Sequence, residues 1–303
     1  MGRGYVDLQV NGYMGIDFNG GPLQPEQLHA ACRCLRDDGV DYVLATIITD
    51  DVDRMAGRLA RIAALRSEDP LAKEVIAGFH IEGPFLSPKP GYAGAHPAEH
   101  VRPAGLDAMK RLLDAAAGLT RLVTLAPEQD EGLRVTRFVA GQNILVSAGH
   151  CDPTLDELQR AIDAGLLMFT HLGNGCPTVL ARHDNIVQRV LALHDKLWIM
   201  FIGDGVHVPF FAMRNYLAVT GTQRVVAVTD CISAAGLGPG RYCFGSQWVE
   251  VGEDLVARPA GKPHLMGSTI TMPEMEAKLR DELGLDEQQV EQLLVQNPRT
   301  VLG

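Results

Sequence analysis

Short apolar, β-branched runs alternate with longer amphipathic segments along almost the whole chain. Eight runs have the length and residue types of strands, at residues 5–10, 42–48, 75–81, 122–125, 144–147, 167–170, 198–202 and 225–229. Several are nearly continuous apolar runs, which is typical of parallel strands that are covered on both faces. The pattern therefore predicts a protein of alternating strands and helices.

Three of the intervening segments carry clear helix boundaries. Residues 25–36 follow a Gly-Gly-Pro turn, residues 51–65 follow Thr49 and Asp50, and a third helix opens at residues 152–154 and stops at Gly165. Eight strand–helix units predict an α/β fold, a (β/α)8 TIM barrel with 1–303 as a single catalytic domain. A doubly wound open sheet is the alternative, which periodicity alone does not exclude.

Composition narrows the function classes. The 303 residues carry a formal charge of −10, which argues against nucleic acid as a partner. A small anion can still bind, because one arginine and a helix N-terminus suffice. No apolar stretch approaches the ~18 residues of a membrane span, and the start lacks a signal core. Six cysteines form no CxxC pair, so we expect free thiols and a cytoplasmic location.

Polar residues with metal-binding and proton-transfer chemistry follow several predicted strands. Glu82 ends the third, while His150 and His171 follow the fifth and sixth. Imidazole and carboxylate suit zinc, and a catalytic zinc keeps three protein ligands and one open position. Such an ion lowers the pKa of water towards ~7 and polarises a carbonyl. Asp230, after the eighth strand, is placed to move the protons.

Each of these residues also has an ordinary structural interpretation. A salt bridge would explain Glu82, and Asp230 could cap the next turn. A single histidine beside an apolar strand is most often a hydrogen-bonded core residue. The occurrence of two, His150 and His171, both at strand exits, favours a metal site.

Ordered motifs then extend along nearly the whole chain. They are residues 6–12 (VDLQVNG), 80–85 (HIEGPF), 94–97 (GAHP), 147–150 (SAGH), 170–175 (THLGNG), 204–207 (DGVH), 228–230 (VTD), 267–272 (GSTITM) and 297–299 (NPR). With these motifs the chain resembles the N-acetylglucosamine-6-phosphate deacetylases of the amidohydrolase superfamily. The resemblance implies hydrolysis of the acetamide of N-acetylglucosamine 6-phosphate to glucosamine 6-phosphate and acetate.

The resemblance also implies residue roles. Glu82, His150 and His171 match the metal ligands, and Asp230 matches the catalytic aspartate. His96 matches a histidine that polarises the acetamide carbonyl, and His207 one that contacts the sugar. Asn174, Gly175 and Arg182 match the groups that bind the phosphate. Family members usually form homodimers, so we expect a homodimer here.

The first strand bears on the number of metal ions. Many amidohydrolases carry His-x-His there, whereas this chain has Gln9 and Asn11, and neutral amides are poor zinc ligands. We therefore expect one divalent ion, zinc in first place, with Fe²⁺ and Co²⁺ as alternatives. Gln9 is expected to hold the bound water or a substrate oxygen, and both amides are assigned to substrate binding.

Three departures from the family pattern concern the substrate and the architecture. The usual His-Leu-Phe-Asn-Ala-Met is here residues 171–176 (HLGNGC), which removes an aromatic wall. The loop from Glu82 to His96 is slightly longer. The N- and C-terminal strands that form a small β-sandwich in the family are missing from the sequence, so we expect little or no accessory β-sandwich.

The alternatives follow from these departures. The substrate could be a galacto or unphosphorylated N-acetylated sugar, or a cyclic amide. From another class, a catalytically silent binding protein would retain the barrel. The complete ligand set together with Asp230 favours an enzyme over the silent protein.

Overall fold

Eight parallel strands form the centre of the protein, in a computed structural model that describes residues 4–261 and 264–303. The strands are β1 (Tyr5–Val10), β2 (Val40–Ile48), β3 (Ile76–Glu82), β4 (Thr120–Leu125), β5 (Leu145–Ala148), β6 (Leu166–Phe169), β7 (Trp198–Ile202) and β8 (Val225–Val228). Each pairs with the next along the chain, from β1 to β8. All eight predicted strands are present, with bounds shifted by at most two residues.

Helices surround this nearly closed barrel, so the predicted (β/α)8 TIM-barrel fold is confirmed. They are α1 (Pro25–Asp37), α2 (Val52–Glu68), α3 (Pro70–Val75), α4 (Leu106–Ala115), α5 (Arg134–Ala140), α6 (Leu155–Asp163), α7 (Ile186–Ala192), α8 (Phe210–Thr220), α9 (Met272–Asp281), α10 (Glu287–Glu291) and α11 (Asn297–Leu302). A π-helical turn, Gln292–Gln296, joins α10 to α11. The open-sheet alternative is not what the chain adopts.

Alternation along the strands divides the apolar residues into two layers. One buried cluster joins residues from several barrel strands and the C-terminal helix, among them Val6, Leu44, Met168, Val226 and Val301. The larger cluster contains the intervening strand positions together with the apolar faces of the helices. This two-layer packing is the usual core of a barrel whose strands are covered by helices.

Side-chain caps fix where two predicted helices begin. The carboxylate of Asp51 accepts from the backbone N–H groups of Asp53 (3.0 Å) and Arg54 (3.3 Å), so α2 starts one residue later than predicted. Thr154 and Glu157 form a reciprocal capping box at the start of α6. This box, rather than Asp152, begins the helix.

The segment after β8, residues 231–245, is rich in glycine, and its composition alone predicts a long loop. It leads into a three-stranded antiparallel sheet of β9 (Gly240–Phe244), β10 (Gln247–Val251) and β11 (Ala257–Pro259). A two-residue turn of Gly245 and Ser246 joins β9 to β10, and Gly245 has φ +61°. A glycine in such a hairpin turn was the signal to recognise. Apart from a short hairpin of Gly12–Tyr13 and Ile16–Asp17, these are the only strands outside the barrel in the described ranges.

Two further sequence expectations can be set beside the structure. All six cysteines are free thiols. Within residues 4–261 and 264–303, none of the helices combines the length and the apolar character that a membrane crossing needs.

Candidate active site

A cavity of about 950 Å³ opens where the strand ends bring the predicted polar residues together. Its lining includes, of the predicted site residues, Asn11, Glu82, His96, His150, His171, Asn174, Gly175, His207 and Asp230. In (β/α)8 barrels the active site lies at the carboxyl ends of the strands. Residues more than 200 positions apart in the chain thus share one cavity.

Glu82, His150 and His171 are the one group of potential metal ligands found among the described residues, and all three are buried. Their ligand atoms lie within 4.8 Å of one another. Glu82 Oε1 lies 3.0 Å from His171 Nε2 and 3.4 Å from His150 Nε2. His150 Nδ1 is 2.7 Å from the carbonyl oxygen of Tyr92, to which it donates. Because that bond places the proton on Nδ1, the Nε2 lone pair faces Glu82, as a metal ligand requires.

His96 lies beside this group and is oriented from behind by Thr49. His96 Nδ1 accepts from the backbone N–H of Thr49 (3.3 Å) and lies 2.8 Å from the Thr49 hydroxyl, which can also donate to it; an accepting Nδ1 leaves the proton of the neutral ring on Nε2. That atom is 3.2 Å from His150 Nε2 and 3.8 Å from Glu82 Oε2. Burial and the neighbouring His150 lower the pKa of His96 to about 3, which favours the neutral ring. His96 therefore presents an N–H donor to the cavity.

Asp230 follows β8, and its carboxylate accepts a hydrogen bond of 2.8 Å from Asn11 Nδ2. Burial, followed by the charge of Glu82, raises the pKa of Asp230 to about 7. A carboxyl group with a pKa near the working pH is suited to both accepting and releasing a proton. The position and the electrostatics of Asp230 fit the proton-transfer role expected from the sequence.

His207 is paired with Asp204 at the edge of the cavity. Its Nδ1 lies 2.6 Å from Asp204 Oδ2. Burial alone would lower the pKa of His207, but the Asp204 carboxylate raises it above the ordinary value. The pair thus holds a charged or readily charged imidazole where an anionic or hydroxylated ligand could bind.

The backbone at three of these residues adopts a left-handed conformation. His150, His171 and Asp230 have φ values of +52°, +36° and +49°. This region is uncommon for residues other than glycine and costs about 1–3 kcal/mol each when the surroundings impose it. Such strain concentrates at functional sites, and here it falls on two candidate ligands and the candidate proton carrier.

Several known proteins are similar to this chain over most of its length. The chain is 32% identical over 280 residues to N-acetylglucosamine-6-phosphate deacetylase of Bacillus subtilis, which covers 92% of this chain and 69% of that protein. It is 28% identical to N-acetylgalactosamine-6-phosphate deacetylase of Escherichia coli O157:H7, over 99% of this chain and 77% of that protein. No family model matches the chain.

Among solved structures, a mutant of N-acetyl-D-glucosamine-6-phosphate deacetylase from Mycobacterium smegmatis, in complex with N-acetyl-D-glucosamine-6-phosphate, superposes with a TM-score of 0.89. The match has 28% identity and covers 99% of this chain and 77% of that one. The chain belongs to the N-acetylglucosamine-6-phosphate deacetylase family. It spans about two thirds of the length of the Bacillus subtilis member (69%).

Gln9 lies beneath the cavity rather than in its lining. It is fully buried, and its Nε2 is 3.2 Å from both carboxylate oxygens of Glu82. Asn11 does line the cavity, but its amide donates to Asp230. In this chain both amides therefore contact a carboxylate directly, Gln9 that of a predicted metal ligand and Asn11 that of the predicted catalytic aspartate, and their assignment to substrate remains a prediction.

The predicted phosphate-binding residues lie in different surroundings. Asn174 lines the cavity, and its Nδ2 is a buried donor with no partner, so it is available to a ligand. Gly175 has φ +63°, and a Cβ there would lie 2.9 Å from His150 Nδ1, so only glycine permits this close approach. Arg182 is exposed and is absent from the cavity lining. The structure thus brings two of the three to the site.

Several other residues that line the cavity were not predicted from the sequence. Tyr216 of α8 reaches the cavity, where its ring stacks on Phe201 with a centroid distance of 5.7 Å. Phe244 from β9, together with His264 and Leu265, also lines the cavity. A helix residue such as Tyr216 has no local signal for such a role. The Phe244 contribution could have been anticipated only by recognising the hairpin.

Proposed function

We propose that this protein hydrolyses the acetamide of N-acetylglucosamine 6-phosphate, releasing glucosamine 6-phosphate and acetate. The observation that supports this most strongly is the convergence of the buried Glu82, His150 and His171 with Asp230 in one cavity. Membership of the deacetylase family points to the same reaction. This is amide hydrolysis, in which water adds to the acetyl carbon and the C–N bond breaks.

The three ligands fit a divalent ion because one carboxylate and two imidazoles converge in a buried site with their ligand atoms turned inward. When bound, such an ion polarises the acetamide carbonyl and makes water more acidic. We propose zinc, with Fe²⁺ or Co²⁺ as alternatives for the same ligands. A single ion is favoured because the Gln9 amide, a poor ligand, already donates to Glu82.

The chain's own residues supply the proton transfers. The N–H of His96 Nε2 donates to the acetamide oxygen as negative charge develops on it. Asp230 takes one proton from the attacking water, and Asn11 keeps its carboxylate oriented meanwhile. As the tetrahedral species collapses, Asp230 returns that proton to the leaving amine. Each proton removed from water therefore ends on a product.

The sugar phosphate is assigned to the outer part of the cavity. Asn174 offers its free amide, and His207 offers an imidazole whose charge Asp204 favours. We also propose that Arg182 binds the phosphate and that the protein works as a homodimer in the cytoplasm. The six free thiols are consistent with a reducing compartment.

One observation favours a second candidate substrate. No lysine or arginine lines the cavity within residues 4–261 and 264–303, so its cationic character depends on histidines. An unphosphorylated N-acetylated sugar is the corresponding alternative. The chemistry at Asp230 would be the same for each.

Acetate release from a panel of N-acetylated sugars tests the proposal. Purified protein is analysed for metal and assayed with gluco and galacto substrates, each with and without the 6-phosphate. We expect about one metal equivalent and the highest kcat/KM with N-acetylglucosamine 6-phosphate. A chelator should abolish activity, and zinc should restore it. Metal-replete protein that releases no acetate from any sugar would disprove the proposed function.

A further inference from the structure

The two strands that close the barrel, β1 and β8, are not joined by a regular backbone ladder in the part of the chain that the structure describes. The register of β1 against β2 is also irregular between Asp7 and Val10. Beyond the strand ends, Asn11 N donates to Cys231 O (2.8 Å). At this barrel seam between β1 and β8, where the backbone ladder is missing, side chains are therefore needed to connect the two strands.

Asp7 provides this connection from the middle of β1. Its side chain is almost completely buried. Oδ2 accepts from the hydroxyl of Thr229 (2.5 Å), while Oδ1 accepts from the backbone N–H groups of Thr229 (3.3 Å) and Gln9 (3.2 Å). Burying a carboxylate is costly unless hydrogen bonds compensate. Asp7 does not line the cavity, so direct contact with substrate does not explain its presence.

Thr229 extends these contacts to both sides of Asp230. Its hydroxyl also accepts from the backbone N–H of Cys231 (3.1 Å), and its carbonyl accepts from Ser268 Oγ (2.5 Å). The carbonyl of Asp230 itself accepts from the backbone N–H of Ser268 (3.0 Å). The peptide groups before and after Asp230 are therefore both held from outside.

This restraint coincides with the left-handed conformation of Asp230, whose φ is +49°. An aspartate does not keep that conformation without surrounding contacts that fix it. The same conformation directs the carboxylate to Asn11 Nδ2, 2.8 Å away. A relaxed backbone would move the carboxylate away from that contact.

We propose that Asp7 and Thr229 are positioning residues that hold the backbone of Asp230 in the geometry needed for proton transfer. The inference rests on the proposed function, since it takes Asp230 as the proton carrier. Asp7 and Thr229 act on the backbone geometry at the barrel seam, and neither of them contacts substrate. A displacement of about 1 Å at a reacting group can reduce turnover about 100-fold.

Thr229→Val and Thr229→Ser form the central test. Valine keeps the shape but removes the hydroxyl that bonds Asp7 and the Cys231 N–H, whereas serine keeps the hydroxyl. We expect Thr229→Val to lower kcat by about 10- to 100-fold, with KM within about twofold of wild type. Metal equivalents should not change. Thr229→Ser should retain most of the turnover, as a hydroxyl-dependent role requires.

Asp7→Asn is the second variant, and Asp130→Asn is its matched control. The Asp130 carboxylate makes the same kinds of bonds, accepting from two backbone N–H groups and a hydroxyl, all belonging to Val135 and Thr136. Asp130 lies four residues before α5, in the segment that follows β4, and does not line the cavity. We expect Asp7→Asn to lower kcat as Thr229→Val does, and Asp130→Asn to lower only the Tm.

Crystal structures of the metal-loaded variants give a readout that does not depend on turnover. Asp230 should leave its positive φ in Thr229→Val and keep it in Thr229→Ser and Asp130→Asn. Wild-type protein that releases no acetate would defeat the proposed function, and the positioning role would then be judged on this φ alone. An unchanged φ or an unchanged kcat in both Thr229→Val and Asp7→Asn would overturn the positioning role. A loss of metal that parallels the loss of kcat would do the same.

Discussion

The floor of the cavity and its outer wall are built in different ways. The floor consists of Glu82, His150, His171 and Asp230, all at or just beyond the ends of barrel strands; the first three are buried and Asp230 is half-buried. The outer wall, residues 173–182, is an irregular segment between His171 and α7 that is half-buried or exposed. Every carboxylate of the floor accepts hydrogen bonds, whereas the Arg182 side chain of the wall makes none with the rest of the described protein.

This difference indicates that the reaction and the choice of substrate depend on different parts of the cavity. Under the proposed function the floor carries out amide hydrolysis, since it holds the proposed metal ligands and the proposed proton carrier in positions that the barrel imposes. We propose that the wall, through side chains such as Asn174, and His207 beyond it select the sugar that is recognised. Changes in the floor should therefore abolish turnover with every substrate, while changes in the wall should discriminate between substrates.

The largest expected effect comes from removing the proton carrier in the floor. Asp230→Asn keeps the shape of the side chain but cannot accept a proton, so kcat should fall by about 100- to 10,000-fold with all substrates. Metal content should stay at the wild-type level, because Asp230 is not one of the three ligands. Steady-state kinetics and elemental analysis measure the two effects separately.

Near-normal turnover of Asp230→Asn would contradict the assignment of proton transfer to the floor. His150→Ala is the complementary variant, because it removes a ligand rather than the proton carrier. Its loss of activity should be accompanied by a loss of bound metal. If both variants lost metal equally, Asp230 would have to be counted among the ligands.

A pH-dependent contribution to stability is expected from the carboxyl group that supports the floor. Burial raises the pKa of Asp7 from 3.8 to about 6, despite its hydrogen bond from Thr229. The folded protein therefore binds more protons than the unfolded chain between these values. The free energy of unfolding should fall as pH rises through this window, by about 3 kcal/mol from this group.

Urea unfolding of wild type and Asp7→Asn between pH 4 and 7 measures this contribution. A chelator present throughout keeps metal release from contributing to the difference. The gap between the two unfolding free energies should change with pH across the window, in favour of wild type at the acidic end. A gap that is constant with pH would show that Asp7 does not titrate there.

A smaller and more selective effect is expected in the wall. Arg182→Ala should raise KM about tenfold for phosphorylated sugars, the scale of one charged hydrogen bond, and leave unphosphorylated sugars unaffected. Arg33→Ala, which removes an exposed arginine on α1, is the control. An equal change in KM for both classes of sugar, or no change for either, would show that Arg182 does not bind the phosphate.

The sequence was sufficient for the barrel and for the floor. Parallel strands buried on both faces leave a strong apolar signal, and polar residues directly after them stand out against it. Glu82, His150 and Asp230 were found in this way, and the family resemblance named His96, which the structure places beside His150. These features are local in the chain, so one sequence reveals them.

Contacts across the chain could not be predicted in the same way. The bonds of Asp7 to Thr229 and of Asn11 to Asp230 join residues more than 200 positions apart. Nothing near Tyr216 indicates that α8 turns it towards the cavity. An acidic residue inside the apolar strand β1 was a visible anomaly, but its partner became identifiable only once the barrel had closed.

The smallest expected effect concerns the backbone of the wall. Gly173 has φ +93°, and a Cβ there would lie 3.4 Å from Val208 Cγ2 and 3.9 Å from Tyr216 Cε2, which are ordinary contacts. Gly173→Ala should therefore cost about 1–2 kcal/mol of unfolding free energy through backbone strain alone, with metal content unchanged. Gly57→Ala, inside α2 with no atom within 4 Å of the added Cβ, should instead stabilise by about 0.5–1 kcal/mol. Opposite signs for the two variants in denaturant unfolding would show that the wall needs glycine for its conformation. A Gly173→Ala variant as stable as wild type, or more stable, would mean that the backbone at Gly173 adjusts to the added Cβ, and the wall would then not need glycine there.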